Sequence, residues 1–225
     1  MQETIKSEQN KNELQLTLSR FSHEIRNPLA LIQSELQLME TSHPELTEYE
    51  GWYSIMENLE YIRELLNDLS QFNNADTLST APTDVTALLK SISASFRPAL
   101  NYLGITLNSD IPENLPFLSL DRIKIRQALL NLLRNAQESI QHSHGIILFS
   151  ACQVPGGVCI LIKDNGCGMT SEQLQNIFTP FVTYKDAGTG LGLSITRHIV
   201  EAHGGTLRVQ SIPEKGSEFH IFLCG

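Results

Sequence analysis

Two asparagines four residues apart, Asn131 and Asn135, lie in the segment NLLRNAQES. Their neighbours Leu129, Leu130, Leu132, Leu133 and Ala136 are apolar. At helical spacing the two carboxamides project from one face. An amide on a partly buried face needs partners. A carboxamide oxygen is also a hard ligand suited to Mg²⁺, the ion that bridges phosphates in nucleotide sites. Two helix asparagines bonding to a loop would read the same way. Asp164 opens DNGCGM directly after an apolar run. Gly166 and Gly168 permit turn geometry and the close approach of a ligand. A carboxylate at the end of a strand can accept from an exocyclic amine, which favours adenine, because the wrong base leaves a buried group unpaired. Asp-Asn-Gly is equally a good turn. GTGLGL (Gly188–Leu193) opens a helix, where crowded backbone N–H groups and the helix N-terminus attract phosphate. No Gly-Lys-Ser/Thr follows and no strand precedes, so the loop is neither a Walker A motif nor a dinucleotide fingerprint. Just before it, IFTPFVTYKDA (Ile177–Ala187) sets aromatics and Lys185 where a mobile lid over phosphates would lie. Phe178 and Phe181 would serve equally as core residues.

One histidine stands apart from this block. His23 lies in FSHEIRNPLA, between Phe21 and Ile25 of an apolar stripe. A lone helix histidine is ordinarily structural. Here Pro28 removes the donor to the carbonyl of Glu24 and clashes with it, at a cost of about 3 kcal/mol in an ordinary helix. A weakened ladder within one turn of His23 calls for a reason, such as a bend that lets a second domain reach the imidazole. Asn27 is four residues on, on the same face. Arg26, three residues on, could pair with phosphate or simply face solvent.

These groups need elements to hold them. Residues 10–40 read as one long helix, with Leu14, Leu18, Phe21, Ile25, Ile32 and Met39 at spacings of three, four and seven. TSHPELTEYEG breaks the pattern. Trp52, Ile55, Leu59, Ile62, Leu66 and Leu69 then alternate strictly by three and four, which predicts a second helix and hence an antiparallel hairpin. Each stripe is closer to a coiled-coil seam than to a broad globular face. Two hairpins packed as a four-helix bundle would bury the stripes, so a homodimer is expected. NNADTLSTAPTD reads as a linker. Beyond it come a helix over 85–102, a strand in GITLNSDI and a helix over 120–141. GIILFSAC and GVCILIKDN read as strands joined by Val-Pro-Gly-Gly. A helix over 191–203 ends at HGG, and TLRVQSI and SEFHIFL close the chain as strands. The expected organisation is α+β: a helical hairpin over 1–75, a linker over 76–84, and over 85–225 an α/β sandwich with a mixed, mostly antiparallel sheet.

Bulk properties exclude other classes. The 225 residues are 41% hydrophobic and 18% charged, an ordinary globular composition. The net charge of −9 disfavours nucleic acid and anionic membranes as partners. No apolar run approaches the ~18–20 residues of a membrane span, and the polar N-terminus is no secretory signal. Cys152, Cys159, Cys167 and Cys224 form no metal-ligand cluster, and are expected to be reduced thiols of a cytoplasmic protein. Cys152 and Cys159 flank the hairpin turn and could face each other.

In this order and spacing, the block from Asn131 to Gly192 resembles the N, G1, F and G2 boxes of the ATPase superfamily shared by gyrase, the ninety-kilodalton heat-shock chaperone, histidine kinases and MutL. FSHEIRNPLA resembles the H box of sensor histidine kinases. The resemblance covers residues 14 to 225. It implies ATP and Mg²⁺ as cofactors, with Asn135 coordinating the metal and Asn131 supporting the phosphates. It implies that Asp164 reads the adenine amine and that Gly166 and Gly168 line the base pocket. Thr183 and Lys185 would belong to the lid, and Gly188, Thr189, Gly190, Leu191 and Gly192 to the phosphate loop. It implies autophosphorylation of His23, with Glu24 as base and Asn27 placing water for dephosphorylation of a response regulator, a partner acting in trans. The ATPases of the superfamily generally carry a Glu where this chain has Asn131, and that Glu activates water. An amide there removes a base and favours phosphoryl transfer over hydrolysis. Glu138 stands where many relatives carry Lys or Arg, which puts one phosphate contact in question. The competing readings are a hydrolysing or serine-phosphorylating relative, against which Asn131 and the H box argue, and a non-catalytic dimeric scaffold, against which the intact boxes argue.

Overall fold

The protein is described by a computed structural model covering residue 22 and residues 24–185 and 188–225. Residues 24–42 form helix α1, which runs through Pro28 without interruption. Of the long helix expected from residue 10, residues 10–21 and His23 lie outside the described residues. A 3₁₀ turn, Pro44–Glu48, leads into α2, Glu50–Asn74. The guanidinium of Arg26 donates to the carbonyl of Leu66 (3.4 Å), so the start of α1 lies against the latter half of α2 and the two helices run antiparallel. Leu29, Trp52 and Leu66 are buried between elements, whereas Leu31 and Leu38 are 66% and 65% exposed. Among the described residues no helix is long and apolar enough to cross a membrane.

The rest is a sheet covered by helices on one face. The elements are β1 (Ala81–Asp84), α3 (Val85–Tyr102), β2 (Thr106–Asp110), β3 (Phe117–Leu120), α4 (Arg122–Ser139), β4 (Ile146–Val154) and β5 (Gly157–Asp164). Then follow α5 (Ser171–Asn176), α6 (Gly192–Ala202), β6 (Thr206–Ile212) and β7 (Gly216–Cys224). The five-stranded sheet has order β2-β4-β5-β7-β6, with β2 and β4 parallel and the other pairs antiparallel. Alternation along the strands sends Ile147, Phe149, Val158, Ile160, Ile162, Phe219 and Ile221 into the core. There they meet Leu88, Leu89 and Ile92 of α3, Leu129, Leu132 and Leu133 of α4, and Ile195 and Ile199 of α6.

Part of the presumed linker is structure. Residues 81–84 form β1, which pairs with β3 in a separate two-stranded sheet. Strands of four residues are too short to show alternation, and Pro82 reads as a strand breaker except at an edge. Helix α4 begins two residues later than the periodicity suggests, because Leu120 is the last residue of β3. Its start is set by Asp121, whose Oδ1 accepts from the backbone N–H groups of Ile123 and Lys124 (3.1 Å each) and whose Oδ2 accepts from that of Ser79 (3.0 Å). The Asp121 N–H donates to Nε2 of His203 (2.9 Å), whose Nδ1–H donates to the carbonyl of Ile199 (2.7 Å). One residue thus joins the linker, α4 and the end of α6.

The hairpin meets the ATPase-like layer along the end of α2. Leu65, Leu69 and Phe72 pack against its core, and Ala75 is fully buried. Gln127 Nε2 donates to Gln71 Oε1 (2.6 Å), the Lys124 ammonium caps the carbonyls of Asn74, Ala75 and Thr77, and the rings of Phe72 and His198 lie 4.9 Å apart. The side-chain amide of Asn73 and Nδ1 of His198 are buried there without a hydrogen-bond partner among the described residues.

Two outcomes test this architecture. Leu132→Ala, at a site with no exposure, should lower unfolding stability by about 2–5 kcal/mol in urea titration. Asp121→Ala should cost about 0.5–2 kcal/mol at neutral pH through loss of the α4 cap. Burial raises the Asp121 pKa, but the N–H groups of Ser79 and Lys124, the Lys124 charge and the Ile123 N–H outweigh it, and the net shift is downward from 3.8. The cap's contribution is therefore complete above 3.8 and is lost as pH falls through the lower folded value, so the gap between wild type and Asp121→Ala should close in acid.

Candidate functional site

Helix α4 supplies one wall. Asn131, Asn135 and Ser139 follow at intervals of four and share a face. Asn131 Nδ2 donates to Oγ1 of Thr196 on α6 (2.8 Å), which ties the two helices together. Gly192, the first residue of α6, packs directly on this amide: a Cβ there would lie 2.6 Å from Asn131 Oδ1. Asn135 Oδ1 accepts from the Lys185 ammonium (2.9 Å), which also pairs with the Glu138 carboxylate. Lys185 thus meets the α4 amide, and Glu138 has an ammonium as its partner.

The floor is Asp164, the last residue of β5, 4% exposed. Its Oδ1 accepts from the Gly166 N–H (2.8 Å), the Ser139 hydroxyl (3.0 Å) and the Ser217 N–H (3.2 Å). All three converge on Oδ1, and among the described residues no donor is seen at Oδ2. Burial pushes the carboxyl pKa up, and these donors offset part of the effect. Such a group is costly to keep ionised and therefore a strong acceptor for a donor brought into the pocket. The glycines behind it serve the protein's own backbone. A Cβ on Gly166 would strike the Ser139 carbonyl and hydroxyl, and one on Gly168 (φ 64°) would lie 2.0 Å from the carbonyl oxygen of Ile212. Their closest neighbours are protein atoms, not open ligand space.

The lid continues from Phe181 (61% exposed) through Thr183 to Lys185; Asp186 and Ala187 lie outside the described residues. The Lys185 N–H donates to Thr183 Oγ1 (3.2 Å), and Gly188 sits against the same hydroxyl. Gly190 accepts at its carbonyl from the Phe181 N–H (3.0 Å), closing the lid onto the glycine loop. Leu191 has no exposure, so its side chain belongs to the core. It precedes α6, whose N-terminus has no side-chain cap among the described residues. The Thr189 hydroxyl donates to Asp68 Oδ2 on α2 (2.6 Å), beside a cleft of about 410 Å³ that Asp68, Gln71, Arg134 and Asn131 help to line.

Of the residues suggested on the hairpin, Glu24 and Asn27 are exposed on α1, and His23 lies outside the described residues. Arg26 is turned toward α2. Ser139, Ser217, Thr196 and Asp68 were not foreseen. Ser139 could have been found as the next position of the Asn131–Asn135 face. Asp68 carries no local signal, because its partner is 121 residues away.

Residues 13–78 match the family described as the His Kinase A (phospho-acceptor) domain, and residues 120–224 match the Histidine kinase-, DNA gyrase B-, and HSP90-like ATPase family. The chain is 32% identical to the sensor histidine kinase ZraS of Escherichia coli O157:H7 over 90% of its own length and 44% of the relative's. It is 30% identical to sporulation kinase B of Bacillus subtilis over 90% and 47%, respectively. It thus spans less than half the length of these curated relatives. A crystal structure of full-length ShkA in complex with AMPPNP superposes with a TM-score of 0.78 at 28% identity, over 93% of this chain and 46% of that one. The chain belongs to the histidine kinases, and what it contains is their catalytic core: a phospho-acceptor helical region followed by the ATPase domain.

Proposed function

We propose that this chain binds Mg-ATP, phosphorylates His23, and passes the phosphoryl group to an aspartate of a response regulator's receiver domain acting in trans. The observation that carries the nucleotide half is the Asp164 cradle: a buried carboxylate with one oxygen satisfied by three protein donors and the other left for an exocyclic amine. The Asn135 carboxamide oxygen already holds a cation, the Lys185 ammonium, so its environment suits a metal ion. Mg²⁺ held there would neutralise charge on the phosphates. Lys185 and Thr183 cover the phosphates, and the uncapped N-terminus of α6, with Thr189 and the glycines from Gly188 to Gly192, offers them N–H groups.

The acceptor half rests on the H box. A neutral nitrogen of His23 attacks the γ-phosphorus in line, and the bond to the bridging oxygen of ADP breaks. Glu24 orients the ring and takes up the proton of its other nitrogen, and Asn27 serves the reverse, regulator-dephosphorylating activity. The apolar residues left open on α1 and α2, Leu31 and Leu38 among them, support a homodimer in which two hairpins bury them together. ATP and a soluble receiver place the reaction in the cytoplasm.

Incubation with γ-labelled ATP should label the protein with acid-labile, base-stable phosphate. His23→Gln should abolish the label, and label that survives would remove His23 from the reaction. Asp164→Asn should weaken ATP binding by about 10- to 100-fold in calorimetry, in line with losing a charge-assisted hydrogen bond, while circular dichroism stays unchanged. Mixing His23→Gln with Asn135→Ala protomers should restore label if one protomer serves its twin. No label from the mixture, with each parent homodimer intact, would assign the reaction to a single protomer.

A further inference from the structure

The five-stranded sheet has one face under helices and one open to solvent, and the open face carries a feature the kinase chemistry does not use. Strands β4 and β5 set Cys152 directly opposite Cys159. The hairpin closes at the pair Val154–Gly157, across Pro155 and Gly156. Residues flanking a two-residue turn exchange both backbone hydrogen bonds, and the two classes of pair alternate along the ladder. Cys152 and Cys159 therefore form a hydrogen-bonded pair, with Cα atoms about 5.5 Å apart. That lies inside the roughly 4.4–6.8 Å that a disulfide bridges. Cys152 is exposed and Cys159 is 9% exposed. Burial pushes the Cys159 thiol up, and the Cys152 thiol adds to this as a near neighbour within hydrogen-bond reach. One sulfur faces solvent and the other waits behind it.

We propose that Cys152 and Cys159 are a redox-modification site, a dithiol that a low-molecular-weight disulfide converts to a cross-strand disulfide. The Cys152 thiolate attacks one sulfur of the small disulfide, whose S–S bond breaks, and the thiolate released takes a proton from water. Cys159, as thiolate, then attacks the Cys152 sulfur of the mixed disulfide and expels the second small thiolate, which is protonated in turn. Two protein thiols are oxidised and one small disulfide is reduced to two thiols. Side chains of a hydrogen-bonded pair stand further apart than the roughly 3.8 Å between Cβ atoms that a relaxed disulfide prefers. Closing the bond pinches the strands, and strained, exposed disulfides are the readily reduced ones, so the modification is reversible. Cys224, on the same face, is in register with Gly157 and donates its thiol to the Gly204 carbonyl (3.7 Å). Cys167 lies in the loop after β5. Neither is set opposite another cysteine.

The test uses the whole chain and oxidised glutathione, with free thiols then alkylated and peptides read by mass spectrometry. The expected product is a Cys152–Cys159 link with two hydrogens lost and no glutathione on Cys152, reversed by dithiothreitol. In Cys159→Ala the same treatment should leave glutathione on Cys152. Glutathione retained on Cys152 in the wild type, a link from either residue to Cys224 or Cys167, or full alkylation of both thiols after treatment would each overturn the proposal. The measurement on the unsubstituted protein suffices if the variant fails to fold.

Discussion

The carboxylate of Asp121 gathers three backbone donors from two directions, and much of the nucleotide-binding layer follows from it. It fixes the first turn of α4, and a helix with a fixed start has fixed faces: Asn131, Asn135 and Ser139 fall ten, fourteen and eighteen residues on, in one column. The same residue holds Ser79 of the connecting segment and, through its N–H, His203 at the end of α6. The two helices that bear the polar groups of the site are therefore indexed to one another at one end by Asp121 and His203 and in the middle by Asn131 and Thr196. A buried carboxylate is tolerated there only because every contact it makes is a donor.

The glycines of the site have a structural task of their own. Gly166, Gly168 and Gly192 each leave room for a protein neighbour: the end of α4, the carbonyl of Ile212 and the Asn131 amide. They bring backbone segments close enough for Asp164 to receive donors from α4 and from β7 at once. Lys185 belongs to the same economy of charge. Its ammonium lies on the Asn135 oxygen and the Glu138 carboxylate, so two side chains of α4 hold it in place.

Much of this was readable from residue order. Within the described residues, the hairpin helices, α3, the β4–β5 hairpin with its Pro-Gly turn and the closing strands all carry strong periodicity or turn chemistry, and each lies where that pattern puts it. Asp164 and Asn135 could be singled out because each is a polar residue in an apolar context. What escaped was short or distant. β1 and β3 have four residues each, too few to alternate visibly. The six-residue α5 is announced only by the capping box of Thr170 and Gln173, a signal present in the sequence and easily passed over beside the richer glycine motifs. Pro98 lies inside α3, and Pro28 inside α1, against the usual expectation that proline ends a helix. Contacts between the hairpin and the ATPase layer, such as Asp68 with Thr189, join residues too far apart in the chain for any local pattern to pair them.

The seam along the end of α2 also contains polar atoms with no hydrogen-bond partner among the described residues, the whole Asn73 carboxamide and a ring nitrogen of His198. Each such group costs about 1–3 kcal/mol for as long as it stays dry. The bonds of Gln71, Lys124 and Asp68 and the apolar packing of Leu65, Leu69 and Phe72 hold the seam against that cost. Parting the seam would return those atoms to water, and their hydration would offset part of the contacts given up there.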